Sequence, residues 1–135
     1  LYVCNVMTQY RETTDFKASD HVRTLVAHTH PGMLQVSIVN TKSPPPELVE
    51  KYREEQAHPV EADVETIRRL GYQVVADAVI STTNYVRHDA DKLARLIIDL
   101  TTGARRVSTV PPPHAWPTDG RTVMDPSASV HSPVI

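Results

Sequence analysis

Amides, hydroxyls and single cations follow each of the apolar runs in this 135-residue chain. The opening run, LYVCNVM, is interrupted by Asn5 and gives way to Thr8 and Gln9. MLQVSIV gives way to Asn40, Thr41, Lys42 and Ser43, and YQVVADAVI leads through residues 81–84 to Tyr85, Arg87, His88 and Asp89. Carboxamides and hydroxyls both donate and accept, and a guanidinium grips a phosphate or a carboxylate at two points. That inventory suits the rim of a phosphate or nucleotide site. Asn, Thr and Ser serve equally as turn and cap residues, and each stretch taken singly reads as readily that way. Their recurrence after all three runs points to a site.

Other constellations carry less. His28-x-His30 has the look of two metal ligands, but it lies at the end of a helical pattern beside Pro31-Gly32, where the helix dipole itself favours histidine. We therefore expect no metal site. Asp89 is placed to cap a helix, which leaves Arg87 as the ligand candidate of the Arg87-His88-Asp89 trio. Glu54-Glu55 and Arg68-Arg69 read as solvated helix faces. The single cysteine, Cys4, excludes an internal disulfide and sits among apolar neighbours as a small buried hydrophobe. Nothing in the sequence matches a nucleophile elbow, a Cys/His metal spacing or a phosphate-loop consensus.

The elements that must position these residues follow from periodicity. Residues 1–7 are apolar on both faces apart from Asn5, which suits a strand covered on both sides. A helix with Val22, Leu25 and Val26 on one stripe starts with Ser19 or Asp20 as its cap and is ended by Pro31-Gly32. A second strand spans 33–40. Pro46 occupies the first turn of a helix carrying Leu48, Val49 and Tyr52. A short helix over 62–70 turns Val64 and Ile67 inward and stops at Gly71. The third strand spans 72–80, and Asp89 opens a helix with Leu93, Leu96, Ile97 and Leu100 on one stripe, closed by Gly103. Strands and helices alternate, so the fold class is α/β with an open parallel sheet, whose ligands bind beyond the carboxyl ends of the strands.

Composition narrows the partners. A net charge of -2 provides no basic surplus for a phosphate backbone, so no nucleic-acid partner is expected. No apolar run reaches the length of a membrane span and no signal peptide opens the chain, so the cytoplasm is the expected compartment. Six of the 11 prolines fall within 111–135, so residues 103–135 read as a Pro-rich tail, extended or disordered. Three strands with their helices amount to half of a doubly wound domain, and the reading is of the C-terminal half of a longer protein.

The stretches YVCNVMTQ, ETTDFKASDHV, PPELVEKYREE and VRHDADKLARLI, in this order over 1–102, resemble the YvcK-like gluconeogenesis factor family. This is the bacterial branch of the CofD-like superfamily, which includes 2-phospho-L-lactate transferase. The resemblance implies a Rossmann-like parallel sheet with flanking helices, of which residues 1–102 are the C-terminal half. It implies a UDP-sugar such as UDP-N-acetylglucosamine as ligand, no other certain cofactor, and a regulatory role in cell-wall or cell-shape maintenance and carbon-source use. It also implies homo-oligomers of the full-length protein. Carried over by position, Asn5, Thr8 and Gln9 match the motif at the end of a pocket-lining strand, Asn40 matches the asparagine of the VN after the next strand, and Tyr52 and Arg87 match a tyrosine and an arginine linked to nucleotide-sugar binding, so all six are expected ligand-binding residues. No catalytic activity is implied for this branch. The alternatives are a transferase moving a phosphorylated small acid of the 2-phospholactate type, and an inactive truncated fragment. In place of the family's Pro-Gly after MTQ the chain has Tyr10-Arg11, so the loop lacks a glycine where a tight turn calls for one.

Overall fold

Two five-residue strands with consecutive buried residues, covered on both faces, organise the molecule. In the computed structural model, which describes residues 1–107, β1 (Tyr2–Val3), β2 (Val36–Asn40) and β3 (Gln73–Asp77) form one parallel sheet in the order β1-β2-β3. Val3 lies opposite Ile38, and Ile38 opposite Val75. The chain also forms α1 (Ala18–Ala27), α2 (Pro46–Arg53) and α3 (Val64–Arg69). After β3 come the antiparallel pair β4 (Ile80–Ser81) and β5 (Arg87–His88), then α4 (Ala90–Thr102). Because side chains alternate along a strand, Cys4, Val39 and Val74 face one way and pack with Ala18, Val22 and Val26 of α1 and Ile67 of α3. Ile38 and Val75 face the other way, with Val79, onto Leu96 of α4. Each such fully buried Val, Leu or Ile is worth about 1.5–3 kcal/mol relative to exposure. Helices on both faces of a parallel sheet are what the alternation of elements predicts.

Local signals act where they are strong. Pro46 stands in the first turn of α2. The Asp89 carboxylate accepts from the Lys92 N–H at 3.1 Å as the N-cap of α4. Gly71 and Gly103 take left-handed φ values of 86° and 76° just beyond α3 and α4, a conformation that costs glycine little.

Three expectations are corrected. The predicted strand over 1–7 stays in the sheet only to Cys4, whose N–H donates to the Ile38 carbonyl at 2.9 Å. From Asn5 the chain turns to residues 58–60 instead: Val60 N–H donates to the Val6 carbonyl (3.0 Å), Thr8 N–H to the His58 carbonyl (2.7 Å), and Met7 bridges Pro59 antiparallel. The predicted third strand over 72–80 breaks after Asp77, whose carboxylate accepts from the Ala78 N–H at 2.7 Å while Val79 N–H turns back to the Asp77 carbonyl. Ile80 and Ser81 then leave the sheet to pair with His88 and Arg87. The cap of α1 is Lys17, not Ser19 or Asp20: Asp20 reaches back to the Lys17 N–H (3.0 Å), and the Ser19 N–H is taken by the Asp63 carboxylate (2.8 Å). A carboxylate 44 residues away thus satisfies an orphan helix donor.

After Gly103 the Arg105 guanidinium meets the Asp77 carboxylate at 2.6 Å, and Val107 packs on the α4 side of the core. The remainder of the Pro-rich stretch, 108–135, lies outside the described residues. Among the described residues no helix is long and apolar enough to cross a membrane.

Candidate functional site

Because the chain leaves the sheet at Asn5, residues 5–10 form one side of a cleft at the carboxyl end of β1. The cleft has a volume of about 520 Å³. Its second side is the end of α2 and the turn after it, with Tyr52, Glu55 and Ala57, and its third is Val86, Arg87 and His88. Of the residues singled out from sequence, Asn5, Thr8, Gln9, Tyr52 and Arg87 come together here. Asn40 does not line this cleft. Its carboxamide closes a turn on Lys42, accepting from the Lys42 N–H (3.2 Å) and donating to the Lys42 carbonyl (2.8 Å). That is the ordinary work of an asparagine at a strand end.

Three cleft side chains have their polar tips on backbone atoms. The buried Thr8 hydroxyl accepts from the His58 N–H at 2.9 Å, which locks residues 6–8 to 58–60. The Tyr52 hydroxyl accepts from the Val86 N–H at 3.2 Å and joins α2 to the β4–β5 hairpin. The His88 Nε2 lies 3.2 Å from the Cys4 carbonyl. A carbonyl only accepts, so Nε2 carries the proton and joins the hairpin to the sheet. These bonds join the three sides, and the half-buried Tyr52 lines the cleft between them.

The groups that remain for a ligand are exposed. Asn5, Gln9, Glu55 and Arg87 are all solvent-accessible, and among the described residues Arg87 has no carboxylate partner. A guanidinium beside carboxamides and a tyrosine ring can bind an anion next to a planar or hydroxylated group. Glu55, read from sequence as a solvated helix face, lies beyond the end of α2 and turns its residue into the cleft; it can accept from hydroxyls. His88 was noted only beside Arg87; its position on β5, the same two-residue strand, is what brings it to the cleft.

The loop at the mouth keeps a tight turn without glycine. Arg11 stands at φ 68°, in the left-handed region. Its N–H donates to the Thr14 hydroxyl and the Gln9 N–H to the Thr13 hydroxyl, each at 2.9 Å. Behind the cleft, burial pushes the Cys4 thiol up to about 11, with Asp63 adding to the shift, so it stays protonated and serves as packing. Burial raises the Tyr2 phenol beside it as well.

The two histidines weighed as ligands are caps. His28 Nδ1 donates to the Thr24 carbonyl (2.8 Å), and His30 Nδ1 accepts from the Gly32 N–H (3.1 Å). Among the described residues no group of three or more His, Cys, Asp or Glu side chains could hold a metal ion.

Comparison with known proteins places this geometry in a family. The profile of "2-phospho-L-lactate transferase CofD" matches residues 1–80. A gluconeogenesis factor of Bacillus subtilis is 40% identical over 101 residues, covering 74% of this chain and 32% of that protein. A putative gluconeogenesis factor of Aquifex aeolicus is 39% identical over 101 residues, covering 74% and 31%. The crystal structure of a UPF0052 family member from Bacillus halodurans superposes with a TM-score of 0.69 at 32% identity, covering 72% of this chain and 31% of that one. The chain therefore spans about a third of the length of the curated relatives it matches. The α/β architecture, the match over residues 1–80 and the gluconeogenesis factor relatives agree: the chain belongs to the CofD family.

Proposed function

We propose that this chain supplies one side of a nucleotide-sugar site in a regulatory protein of the gluconeogenesis factor type. The ligand is a UDP-sugar such as UDP-N-acetylglucosamine, and the protein acts in carbon-source use and in cell-wall and cell-shape maintenance. The observation that carries the reading is the convergence of Asn5, Gln9, Tyr52 and Arg87, which has no carboxylate partner among the described residues, on one cleft at the carboxyl end of a parallel strand. The Tyr52 ring offers a stacking face for a base or sugar, Arg87 neutralises phosphate, and Asn5, Gln9 and Glu55 meet hydroxyls and amides. Calorimetric titration of UDP-N-acetylglucosamine into the chain tests this, with Arg87→Ala expected to weaken binding at least tenfold. Binding indifferent to Arg87→Ala overturns it. Sedimentation of the same sample reads self-association, which the reading extends to the whole protein.

The match to the CofD profile favours a second reading, transfer of a phosphorylated small acid of the 2-phospholactate type. Turnover of such a donor in the presence of a divalent metal, with Arg87→Ala inactive, selects it over the regulatory reading.

A further inference from the structure

Among the described residues β3 pairs with β2 and with no other strand, which leaves its far edge open. In a parallel pair, alternate residues of a strand turn both backbone groups toward the neighbour. The Gln73 N–H donates to the Gln35 carbonyl at 3.3 Å, and the Asp77 carbonyl accepts from the Thr41 N–H at 3.0 Å. Residues 73, 75 and 77 therefore face β2, and Val74 and Ala76 turn their N–H and C=O groups outward. Among the described residues no backbone group bonds to them there. A groove of about 450 Å³ runs along this edge. Arg68, at the end of α3, lines it from the face of the sheet that α1 and α3 cover. Arg105 and Arg106, which follow α4 and lead into Val107 on the opposite face, line it from the other side. No carboxylate is among the described lining residues. Glu65 and Asp77 pair with Arg68 and Arg105 from outside the groove, in exposed contacts that an arriving carboxylate can share. Arg106 leaves the balance positive.

We propose that the β3 edge accepts an extended, acidic segment of a partner protein as a further strand of the sheet. The outward groups of Val74 and Ala76 repeat at about 6.6 Å, the spacing at which an extended chain presents its own N–H and C=O. Such main-chain bonds supply affinity, and the side chains beside them supply specificity. Side chains of an added strand alternate between the two faces. Arg68 thus meets one set and Arg105 and Arg106 the other, so carboxylates at two adjacent positions engage both walls. A second copy of the chain fits poorly, because pairing β3 with β3 brings both sets of arginines together. A nucleic acid or a lipid surface carries the charge but has no peptide ladder to offer the edge. The groove shares no lining residue with the cleft beyond β1, so the two can be occupied together.

The test uses the 135-residue chain and a fluorescein-labelled peptide, Thr-Val-Glu-Glu-Val-Thr, with Thr-Val-Gln-Gln-Val-Thr as the neutral control, read by fluorescence anisotropy. The acidic peptide is expected to bind about fivefold more tightly than the neutral one, an advantage that Arg106→Glu removes. Amide hydrogen exchange at Val74 and Ala76 is expected to slow when the acidic peptide is added. Ala76→Pro deletes an outward N–H and no bond to β2, as an edge strand tolerates, and is expected to weaken both peptides. Should that variant fail to fold, exchange at the two amides of the wild-type chain reads the same contact. Absence of binding at millimolar peptide, equal affinity for the two peptides, or binding that leaves both amides exchanging as before overturns the proposal. Full protection of both amides in the free chain overturns it too. Sedimentation then identifies the cover: residues 108–135 in a monomer, a second copy in a dimer.

Discussion

Removing the Tyr52 hydroxyl isolates the bond that closes the cleft. In Tyr52→Phe the ring keeps its place and volume, so the change falls on one acceptor. Its donor, the Val86 N–H, belongs to a residue only 4% exposed, and the bond is 3.2 Å long, at the weak end of the normal range. A buried donor left without a partner costs about 1–3 kcal/mol, against roughly 0.5–1.5 kcal/mol for the net worth of an ordinary bond. Tyr52 is half-buried beside an open cleft, so water reaches the vacated position and pulls the cost to the low end, about 1 kcal/mol. For a domain of this size that is a fall of roughly 4–8 °C in midpoint temperature. Because α2 has no fully buried residue of its own, the loss is expected first as local opening of the hairpin from α2. Differential scanning calorimetry reads the midpoint, and amide hydrogen exchange reads Val86 directly. An unchanged midpoint together with unchanged Val86 exchange refutes the claim that this bond joins the two walls.

Arg11→Gly is expected to stabilise the chain. A left-handed non-glycine residue costs about 1–2 kcal/mol, glycine's extra chain entropy returns about 0.5–1 kcal/mol of that, and the net gain of about 0.5 kcal/mol is measurable as a higher urea midpoint; a lower midpoint contradicts it. The Asp77 carboxyl is held below its ordinary value chiefly by the Arg105 guanidinium and then by the Ala78 N–H. A depressed folded value means that the contribution is present above the unfolded carboxylate range near 3.8 and is lost as pH falls through the folded value. Both partners are about 40% exposed, so the contribution is under about 1 kcal/mol. Urea midpoints at pH 6 and pH 3 are expected to differ more for wild type than for Asp77→Asn, and equal differences exclude the linkage.

What the sequence revealed was local. Pro46, Asp89, Gly71 and Gly103 each act within one helical turn, and each took the role its chemistry dictates. The stripe of Leu93, Leu96, Ile97 and Leu100 faces the sheet because 3.6-residue periodicity is itself a local property. What stayed hidden depends on partners far along the chain. Asn5 leaves the sheet because residues 58–60 offer an edge, and Asp63 caps α1 across 44 residues. Arg87 and His88 face Ile80 and Ser81 only because the third apolar run breaks at Ala78. Five of the six residues assigned to a site meet in the cleft since four of them sit at or beside strand ends, where topology collects polar groups whatever the loop detail. Asn40 shares that position but satisfies itself on Lys42, and nothing in its residue type distinguishes the two outcomes.

The bonds of Thr8, Tyr52 and His88 to backbone atoms also divide the cleft into two kinds of position. Those three residues hold the frame, and their polar atoms are already committed to the protein itself. Among the described residues the side chains of Asn5, Gln9 and Glu55 make no hydrogen bond or ion pair and that of Arg87 only lies over the exposed Tyr85 ring, so these four can be exchanged at little cost to folding. A chain built this way can change what it recognises without passing through unstable intermediates, since the mutations that alter chemistry are not those that loosen the walls. Divergent specificity within one fold is then cheap in stability, and the positions to compare between paralogues are the four exposed ones.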